Sequence, residues 1–525
     1  MMRRLKACGV AAVLGAAGCS APADPAPATY YVAADGDDSA SGHTPEEAWG
    51  SLARATEHHL RPGETLMLDG DRPLRGSLRV TSDDAGDPAR PVHITAAPAF
   101  PGIIAEGHAG VDIVDTSGVE VSDLRIAAAD PEAGTNGVLV TVSPGEGWKE
   151  GITLRDLRID ATHQGVAIGV EEITDGISDV TIERVAVTDA RRNGIITYGT
   201  TAPDHSVTDV RITGSSVTGT RGLAEEETNT GSGIVVGSAE GALVEDNVVS
   251  HNGEASDAPE GPIGLWTHDS TDVIIRGNVA HHNRTRWTDG GGFGVDISST
   301  DVLVEHNLSH DNDGAGFLVY TRSGALPTGG VTFRYNASVG DGRHPQLPAG
   351  FAVLGGLDTV DADTFVHDIH VHHNTVLPAV DAGASALLVM GNVENVRVHH
   401  NILDTSAGDA PAVLMHRVAA RGDLLLQANH LAGGASLLER EGSVARTPEE
   451  VSGLLPGAAD NGSGGISYLD VADLPGGLAP IRPLTVELPR DDDRAEVAPA
   501  GTDLAGTPVS APNPAVGAVT PRPRR

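Results

Sequence analysis

Lysine is almost missing from this chain, because only two occur among 525 residues, Lys6 and Lys149. Cysteine is as rare, and Cys8 and Cys19 both lie near the amino terminus. Beyond residue 19 there is therefore no disulfide, thiolate metal ligand or thiol nucleophile, which excludes cysteine chemistry there. A lysine general base is nearly excluded as well, since Lys149 alone could serve, in the Gly-rich segment PGEGWKEG.

Positive charge and aromatic side chains are also scarce. The sequence has 35 Lys and Arg against 72 Asp and Glu, a formal net charge of -37, and 3% aromatic residues. Such an acidic chain repels phosphate backbones, so no nucleic-acid partner is expected. A core with few rings must be built from small aliphatic side chains, which suits repeats that stack on one another.

The chain does contain a repeat, in which short β-branched runs end in asparagine. Asn278 in VIIRGN and Asn307 in VLVEHN lie 29 residues apart. The same pattern ends at five other positions: Asn247, Asn336, Asn374, Asn401 and Asn429. A period between about 20 and 50 residues is typical of a repeat architecture.

The content of each copy predicts the class of repeat. Every copy carries two or three runs of alternating Val and Ile, broken by Gly, Asn, Asp and Ser, which favours strands joined by turns. Stacking one coil per copy gives an all-β parallel β-helix, and alignment of five earlier strands predicts 12 coils from Ala97 to Asn429. We interpret the asparagines as a ladder of hydrogen bonds between successive coils. The charged residues two positions before the asparagines, from Glu245 to Arg334, are interpreted as a second ladder of opposite charges.

Three segments carry a family resemblance: YYVAADGDD from Tyr30, DGGGF from Asp289, and HDNDGAGF from His310. The chain resembles secreted right-handed parallel β-helix proteins of the pectate-lyase-like superfamily, and an uncharacterised bacterial lipoprotein branch of it. The resemblance spans about Tyr30 to Asn429 and implies the right-handed fold and a polysaccharide ligand. Relatives in this branch read GGGFD-x-D, whereas this chain has Gly294 at the first acidic position and retains Asp296.

The amino terminus is similar to a bacterial lipoprotein signal. A basic start precedes a short apolar core and the sequence Ala16-Ala17-Gly18-Cys19, so residues 1–18 are interpreted as a signal peptide and Cys19 as the lipidation site. The expected product is an exported, surface-anchored protein on a Pro/Ala tether, residues 19–29. A plain signal peptide with a chance cysteine is the alternative.

The remaining boundaries follow the repeat. Residues 30–91 are predicted to be an amino-terminal cap, in which PEEAWGSLARATEHHL forms a short capping helix over the first coil. Residues 92–439 are the β-helix, residues 440–519 a closing segment, and residues 520–525 a disordered tail. We expect a monomer.

Five insertions lengthen the central coils and indicate where function lies. These are GLAEEETNTGSG, GEASDAPEGP, RTRWTDGGG, TRSGALPTGG and GRHPQLPAG. Projecting from similar corners, they would form a wall beside a strand face, and loops on a rigid scaffold are where function usually resides. The sequence therefore predicts a groove for an extended glycan.

Carboxyl and imidazole groups converge beside these insertions. The catalytic candidates are Asp296, Asp289, Asp311 and Asp313, because glycoside hydrolysis needs a pair of carboxyl groups. Asp296 is favoured because it is predicted in mid-strand, aligned with Thr267. Asp289 and Asp313 precede glycines and have an equally ordinary interpretation as turn residues. The candidate substrate-binding residues are Trp266, Trp287, His268, His282 and His310.

Residues at equal distances after successive asparagines are predicted to stack in three further columns. They are Ser250, His281 and His310; His251, His282 and Asp311; and Asn252, Asn283 and Asn312. These columns could be solvated ladders or a mixed N/O metal site, and the metal-ligand assignment stays open. A second histidine cluster, His372, His373, His399 and His400, has no metal-binding spacing motif.

Three functions remain in competition at this point. A glycoside hydrolase using the acidic residues would need no cofactor. A polysaccharide lyase, by resemblance to β-helix lyases, would use a bound cation such as Ca²⁺ and an Arg or His base. A non-catalytic glycan-binding or adhesion module is the third alternative.

Overall fold

The computed structural model describes residues 27–84, 86–170, 172–224, 228–356 and 364–464. The expected signal peptide, the lipidation site Cys19, the tether before residue 27, the closing segment beyond residue 464 and the tail all lie outside the described residues. Within the described ranges no helix has the length and apolar character that a membrane span requires.

The chain folds into an all-β, right-handed parallel β-solenoid of about 13 turns, as the repeat and the resemblance predicted. Each central coil has three strands, and equivalent strands of successive coils pair in parallel, so that three ladders run along the axis. The chain passes from the first ladder to the second, then to the third, and returns to the first ladder of the next coil.

The strand bounds group by ladder. The first ladder contains Leu78–Val80, Ala109–Val114, Asn136–Val142, Gln164–Val170, Asn193–Tyr198, Ser232–Gly237, Ile263–His268, Gly291–Val295, Phe317–Thr321, Ala349–Gly355 and Leu438–Arg440. The second contains Thr29–Ala33, Thr65–Asp69, Val92–Ala96, Val119–Ser122, Trp148–Arg155, Gly176–Glu183, Val207–Thr213, Ala239–Glu245, Thr271–Arg276, Thr300–Glu305, Thr328–Arg334, Val366–His372 and Ala458–Ala459. The third contains Leu74–Gly76, Ile103–Ala105, Arg125–Ala128, Arg158–Asp160, Ala186–Thr188, Ser216–Thr218, Val248–Ser250, Val279–His281, Leu308–His310, Ala337–Val339, Thr375–Leu377, Ile402–Asp404, His430–Ala432 and Gly462–Ser463.

Two long strands behave differently near the carboxyl end. Ser385–His399 and Val413–Gln427 run through the first and second ladders without a corner between them. A further strand, Ser443–Ala445, pairs antiparallel with Leu438–Arg440. The helices are short: 3-10 turns at Pro45–Glu47 and Val380–Ala382, and α-helices at Leu52–Thr56 and Pro448–Leu454.

The cap differs from the sequence expectation in two ways. The single predicted helix is a 3-10 turn followed by one α-helical turn, because Ser51 adopts extended backbone angles and caps Leu52–Thr56 by accepting from Arg54 N. The apolar positions of that prediction are nevertheless buried. Parallel stacking also starts before residue 92, since Thr29–Ala33 pairs with Thr65–Asp69, which pairs with Val92–Ala96.

The asparagine ladder is present as predicted. Asn278 Nδ2 donates to Asn307 Oδ1 at 3.0 Å, and Asn307 Nδ2 donates to Asn336 Oδ1 at 3.1 Å. Each asparagine oxygen also accepts from the backbone N–H of the preceding coil's asparagine, so the ladder satisfies buried backbone groups at the corner. The ladder continues to Asn461, beyond the last asparagine that the sequence pattern identified.

The interior is a set of stacked apolar columns. One column runs through Val166, Ile195, Ile234, Leu265, Phe293, Phe317, Phe351 and Leu387, all buried. The rings of Phe293 and Phe317 stack with centroids 5.1 Å apart. The few aromatic rings are thus concentrated in the coils whose corners carry the candidate site.

Candidate functional site

The corner between the first and second ladders presents one outward-facing residue from each coil. Gly237 pairs with His268, and Thr267 pairs with Val295, so continuing the register by one residue sets His268 beside Asp296. The same extension adds Tyr198 before Gly237 and Tyr320 after Asp296. This column, which we call the corner column, brings groups far apart in sequence onto one edge of the solenoid.

A cavity of about 640 Å³ opens over this column. Its floor includes Trp266 and Leu318, which belong to an outward-facing apolar cluster separate from the solenoid interior. Its walls include residues of four predicted insertions, such as Asn229, Glu260, Thr288 and Leu347. These four leave the corner between the third and first ladders, so the prediction of a wall is confirmed for them. The fifth insertion, TRSGALPTGG, also contributes Arg322 to the lining, but it leaves a different corner, between the first and second ladders.

Asp296 lies in the cavity at the end of a strand. The prediction of a mid-strand position is wrong, since Gly291–Val295 ends one residue earlier, and so is the alignment with Thr267, which pairs with Val295. The carboxyl Oδ1 accepts from Ile297 N at 2.8 Å. Burial, aided by the charges of Asp289 and Asp269, raises the pKa of Asp296 to about 8, so this group is largely protonated at neutral pH.

Asp289 lines the same cavity and is also a turn residue. Its backbone has a positive φ of 58°, and its Oδ2 accepts from Gly261 N at 3.0 Å on the preceding coil. Burial raises the pKa of Asp289 to about 6, against the opposing effect of that hydrogen bond. The interpretation of Asp289 as a turn residue is confirmed, because one carboxyl oxygen accepts from Gly261 N. The group is also part of the cavity lining, and its catalytic role stays a prediction.

Trp266 and His268 are the two substrate-binding candidates that line the cavity. Trp266 is buried, and its Nε1 donates to Ser232 Oγ at 3.0 Å, which fixes the indole against the cavity floor. His268 packs on Trp266 with ring centroids 5.0 Å apart, and its Nδ1 lies 2.9 Å from Asp269 Oδ2. A carboxylate at Nδ1 fixes the orientation of the imidazole ring.

Two glycines make room for these side chains. A Cβ at Gly237 would lie 2.5 Å from His268 Nε2, so a larger residue on that coil would displace the imidazole. A Cβ at Gly294 would lie 2.9 Å from Ile263 Cδ1 and 3.1 Å from Trp266 Cβ. Ile263 and Trp266 therefore occupy the space that a larger residue at position 294 would need.

The remaining candidates lie outside the cavity lining. Asp313 is held by Arg284 Nη1 at 3.2 Å and by Thr285 N at 3.1 Å, so its carboxylate serves the turn. Asp311 contacts Arg343 and lies beside His310 after the third ladder, at another corner of the coil. Asp311 and Asp313 are therefore not part of the cavity that Asp296 lines. The repeat places residues along the solenoid axis, but it does not determine at which corner of the coil each residue lies.

His282, His310 and Trp287 are also absent from the lining. The two histidines belong to the same corner as Asp311. Trp287 follows Thr285 on the insertion that carries Asp289, and its side chain is 55% exposed. It can therefore meet only a ligand that extends beyond the cavity.

The structure adds residues that the sequence analysis missed. Asp269 lines the cavity and orients His268. Tyr198 and Tyr320 also line it, two coils before and two coils after His268 in the corner column. Glu260 and Arg322 form an ion pair at the cavity wall. The register of the first ladder could have identified Tyr198 and Tyr320, since both precede a turn at the same position as His268.

Two other features were weighed in the sequence. Lys149 donates from Nζ to Glu146 O at 2.8 Å and is not part of the cavity lining. His372 stacks on His399 and His373 on His400, with centroids 5.0 and 5.1 Å apart. Burial lowers the pKa of His399 to about 4 and that of His372 further, so these two stacked rings are neutral at neutral pH.

Comparison with known proteins identifies the architecture. Residues 109–337 match the family model described as right handed beta helix region. Among solved structures, a GH136 lacto-N-biosidase from Eubacterium ramulus is 19% identical, with a TM-score of 0.51 over 77% of this chain and 68% of that chain. Pectate lyase Pel9A is 15% identical over 70% of this chain and 78% of that chain, with a TM-score of 0.39. No match was found among curated protein sequences. At these identities the likeness concerns the fold alone.

Proposed function

Because the chain is a right-handed parallel β-helix with two carboxyl groups in one cavity, we propose that it is a glycoside hydrolase acting on a glycan. The observation that carries the proposal is the pair Asp289 and Asp296, whose pKa values are both raised but to different values, about 6 and about 8. Carboxyl pairs with separated pKa values divide into a general acid and a base or nucleophile.

The assignment of roles follows from the proton affinities. Asp296 holds its proton at neutral pH and would donate it to the leaving-group oxygen. Asp289 is ionised above about pH 6 and would attack the anomeric carbon or activate water. A water-accessible but recessed cavity suits both steps, since low local polarity strengthens the interaction with positive charge developing on the sugar ring.

The cavity also has the means to hold a sugar. Trp266, Tyr198 and Tyr320 offer aromatic surface, and His268, Asn229 and Gln164 offer polar groups for hydroxyls. Glycoside hydrolysis is compatible with this architecture, because the similar lacto-N-biosidase structure is named as a GH136 enzyme. Trp287, which is exposed on the insertion that carries Asp289, would contact a sugar unit outside the cavity.

The first experiment assays the full chain on a broad polysaccharide and oligosaccharide panel. New reducing ends and the ultraviolet absorbance of unsaturated uronates are measured in parallel, with Ca²⁺ or with a chelator. We expect reducing ends alone, with turnover unaffected by the chelator. Absorbance that rises with the reducing ends and depends on Ca²⁺ would replace the proposal with the lyase alternative. Binding without either signal would favour the non-catalytic module.

The second experiment removes each carboxyl group. Asp296→Asn and Asp289→Asn are expected to lower kcat by about 100-fold or more, since each removes a proton-transfer or nucleophilic group. Asp301→Asn is the matched control, because Asp301 is an exposed aspartate on the same coils with a comparable positive φ of 55°. Equal activity of Asp296→Asn and the control, with both folded, would overturn the assignment.

We also propose export and anchoring through a lipid on Cys19, which rests on the signal-like sequence of residues 1–19. Cys19→Ala should shift the protein from the membrane fraction to the soluble extracytoplasmic fraction in a bacterial host. An unchanged distribution would contradict the anchor. The expected monomer is checked by light scattering.

A further inference from the structure

A second group of titratable side chains lies at the corner that follows the third ladder. His251, His282 and Asp311 occupy equivalent positions on three successive coils, with φ values of 56°, 55° and 59°. The residue before each one ends a third-ladder strand, which places His281 and His310 next to them. None of these side chains lines the cavity, so the proposed hydrolase gives them no role.

The rings at this corner are held in a regular arrangement. His281 stacks on His310 with centroids 4.8 Å apart, and His251 stacks on His282 at 5.1 Å. The rings of His282 and His310 are perpendicular, with centroids 5.6 Å apart. One possible ligand atom from each of His282, His310 and Asp311 lies within 4.8 Å of the others. In the described part of the chain, no other group of three or more His, Cys, Asp or Glu residues lies close enough to share a metal ion.

We propose that His282, His310 and Asp311 form a binding site for a divalent transition cation of the zinc class, which joins two successive coils. Two imidazoles and one carboxylate are a donor set that Zn²⁺ accepts, with water completing the coordination. A tetrahedral zinc site needs ligand atoms about 3.3 Å apart. The present ligand atoms lie within 4.8 Å of one another, and all three side chains are partly exposed, so the proposal requires them to turn toward one shared ion.

The donor set also excludes other cations. Ca²⁺ takes six to eight oxygen ligands, which two imidazoles and a single carboxylate do not supply. The site is therefore distinct from any calcium that a lyase would use. Because the ligands come from two coils, binding stabilises the folded chain, which alone holds them together.

A positively charged neighbour competes with the cation. The Arg343 guanidinium contacts Asp311, and Arg343 Nε donates to Gly340 O at 2.9 Å. The guanidinium lies on Oδ1 of Asp311, and its positive charge repels a cation bound at this carboxylate, which lowers the apparent affinity. Removing it should therefore strengthen binding, a result that scattered surface histidines would not give.

The chain contains its own control for a lone His–Asp pair. His367 Nδ1 lies 2.9 Å from Asp368 Oδ2, the same contact and distance as His310 with Asp311. Among the residues that the structure describes, no third close ligand accompanies the pair at residues 367 and 368. If any neighbouring His and Asp sufficed, both pairs would bind zinc equally.

The test is zinc titration by calorimetry on untagged full-length protein stripped of metal. We expect one specific site, a melting temperature raised by Zn²⁺ but not by Ca²⁺, and at least tenfold weaker binding in His282→Gln and His310→Gln. His367→Gln should bind as the parent does, and Arg343→Gln should bind more tightly. Asp296→Asn should bind zinc normally, so loss of the hydrolase proposal would leave this one standing.

Three outcomes would overturn the site. The first is no zinc binding by the parent protein above the level of a nonspecific titration. The second is equal affinity in the parent and both histidine variants when circular dichroism shows that they fold. The third is an equal loss in His367→Gln, which would mean that surface imidazoles bind zinc without a built site.

Discussion

Asp289 and Asp296 differ in proton affinity because their surroundings differ. Both are partly buried, which disfavours the ionised form, and each accepts from one backbone N–H. Asp296 in addition lies close to two other carboxylates, which raises its pKa further. The consequence is a site that can hold one proton between two carboxyl groups over a range of neutral pH. This arrangement is the residue-level basis of the proposed acid and base roles.

A bell-shaped pH profile is the expected kinetic result. Activity should rise as Asp289 loses its proton near pH 6 and fall as Asp296 loses its own near pH 8. Measurement of kcat/KM from pH 4 to 10 checks both limbs, with protein stability followed at each pH. A profile that stays flat through pH 8 in folded protein would contradict Asp296 as the acid.

Asp341 is a second residue at which burial and charge oppose each other. It ends the ladder of Asn252, Asn283 and Asn312, since its Oδ1 accepts from Asn312 Nδ2 at 2.9 Å, and its Oδ2 accepts from Ser338 Oγ at 2.7 Å. Burial raises the pKa of Asp341 to about 6. The folded state thus favours the protonated form, and the stability contributed by this group is lost as pH rises from about 4 through 6.

Asp341→Asn should remove that pH dependence. The amide keeps an acceptor for Asn312 and cannot ionise, so the variant should match the parent near pH 4 and be more stable by roughly 1 to 3 kcal/mol at pH 8. Urea unfolding at both pH values measures the difference. Lower stability of the variant at pH 8 would mean that the ionised carboxylate is the better partner of the ladder.

At the scale of elements, the asparagine corner is the most strongly specified feature. Asn307 accepts from Asn278 N and Nδ2 and donates to Ile275 O and Asn336 Oδ1, so a single side chain joins three coils. Because every one of these groups is buried, the loss of Asn307 would leave backbone polar atoms without a partner.

Asn307→Ala is therefore expected to destabilise the chain by about 2 to 4 kcal/mol. Asn461→Ala is the matched control at the end of the same ladder, where partial exposure lets water replace the lost contacts. Its cost should be below about 1 kcal/mol. Denaturant midpoints measure both, and equal losses would contradict the role of burial.

The element scale also explains what the sequence could predict. The same residue recurs at a nearly constant interval in a column such as Asn278 and Asn307. This interval in the sequence was enough to predict the ladders and the 12 coils between Ala97 and Asn429. The convergence of Asp289 and Asp296 was anticipated as well. The spacing counts coils along the axis and does not give the side of the coil, so it grouped Asp311, at a positive-φ corner after the third ladder, with these two. Asp313 follows the Asp289 turn by one coil, but Arg284 and Thr285 hold its carboxylate.

Charge acts at the scale of the whole molecule. The formal net charge of -37 produces mutual repulsion over the surface, while local pairs such as Arg276 with Glu245, joined at 2.7 Å, offset only part of it. Exposed pairs contribute little individually, so repulsion should dominate the response to salt.

Salt should therefore stabilise the protein. Raising NaCl from about 10 mM to 300 mM shortens the screening length from about 30 Å to below 10 Å, and the melting temperature should rise by a few degrees. Calorimetry in a weakly binding buffer measures the shift, and a sugar at equal osmolality controls for solute effects. A falling melting temperature would mean that the ion-pair ladders outweigh the net repulsion.

The corner column has a consequence for how such a molecule can change. Each coil adds one residue to the column at a spacing of about 4.8 Å, so three steps set Tyr198 about 14 Å from Asp296. The number of coils between two side chains of the column therefore fixes the distance between them. A new arrangement of acids, imidazoles or rings needs only a substitution at one position of the column, such as Tyr320. Such variants can arise one substitution at a time, while the hydrogen-bonded strands keep the spacing between coils constant.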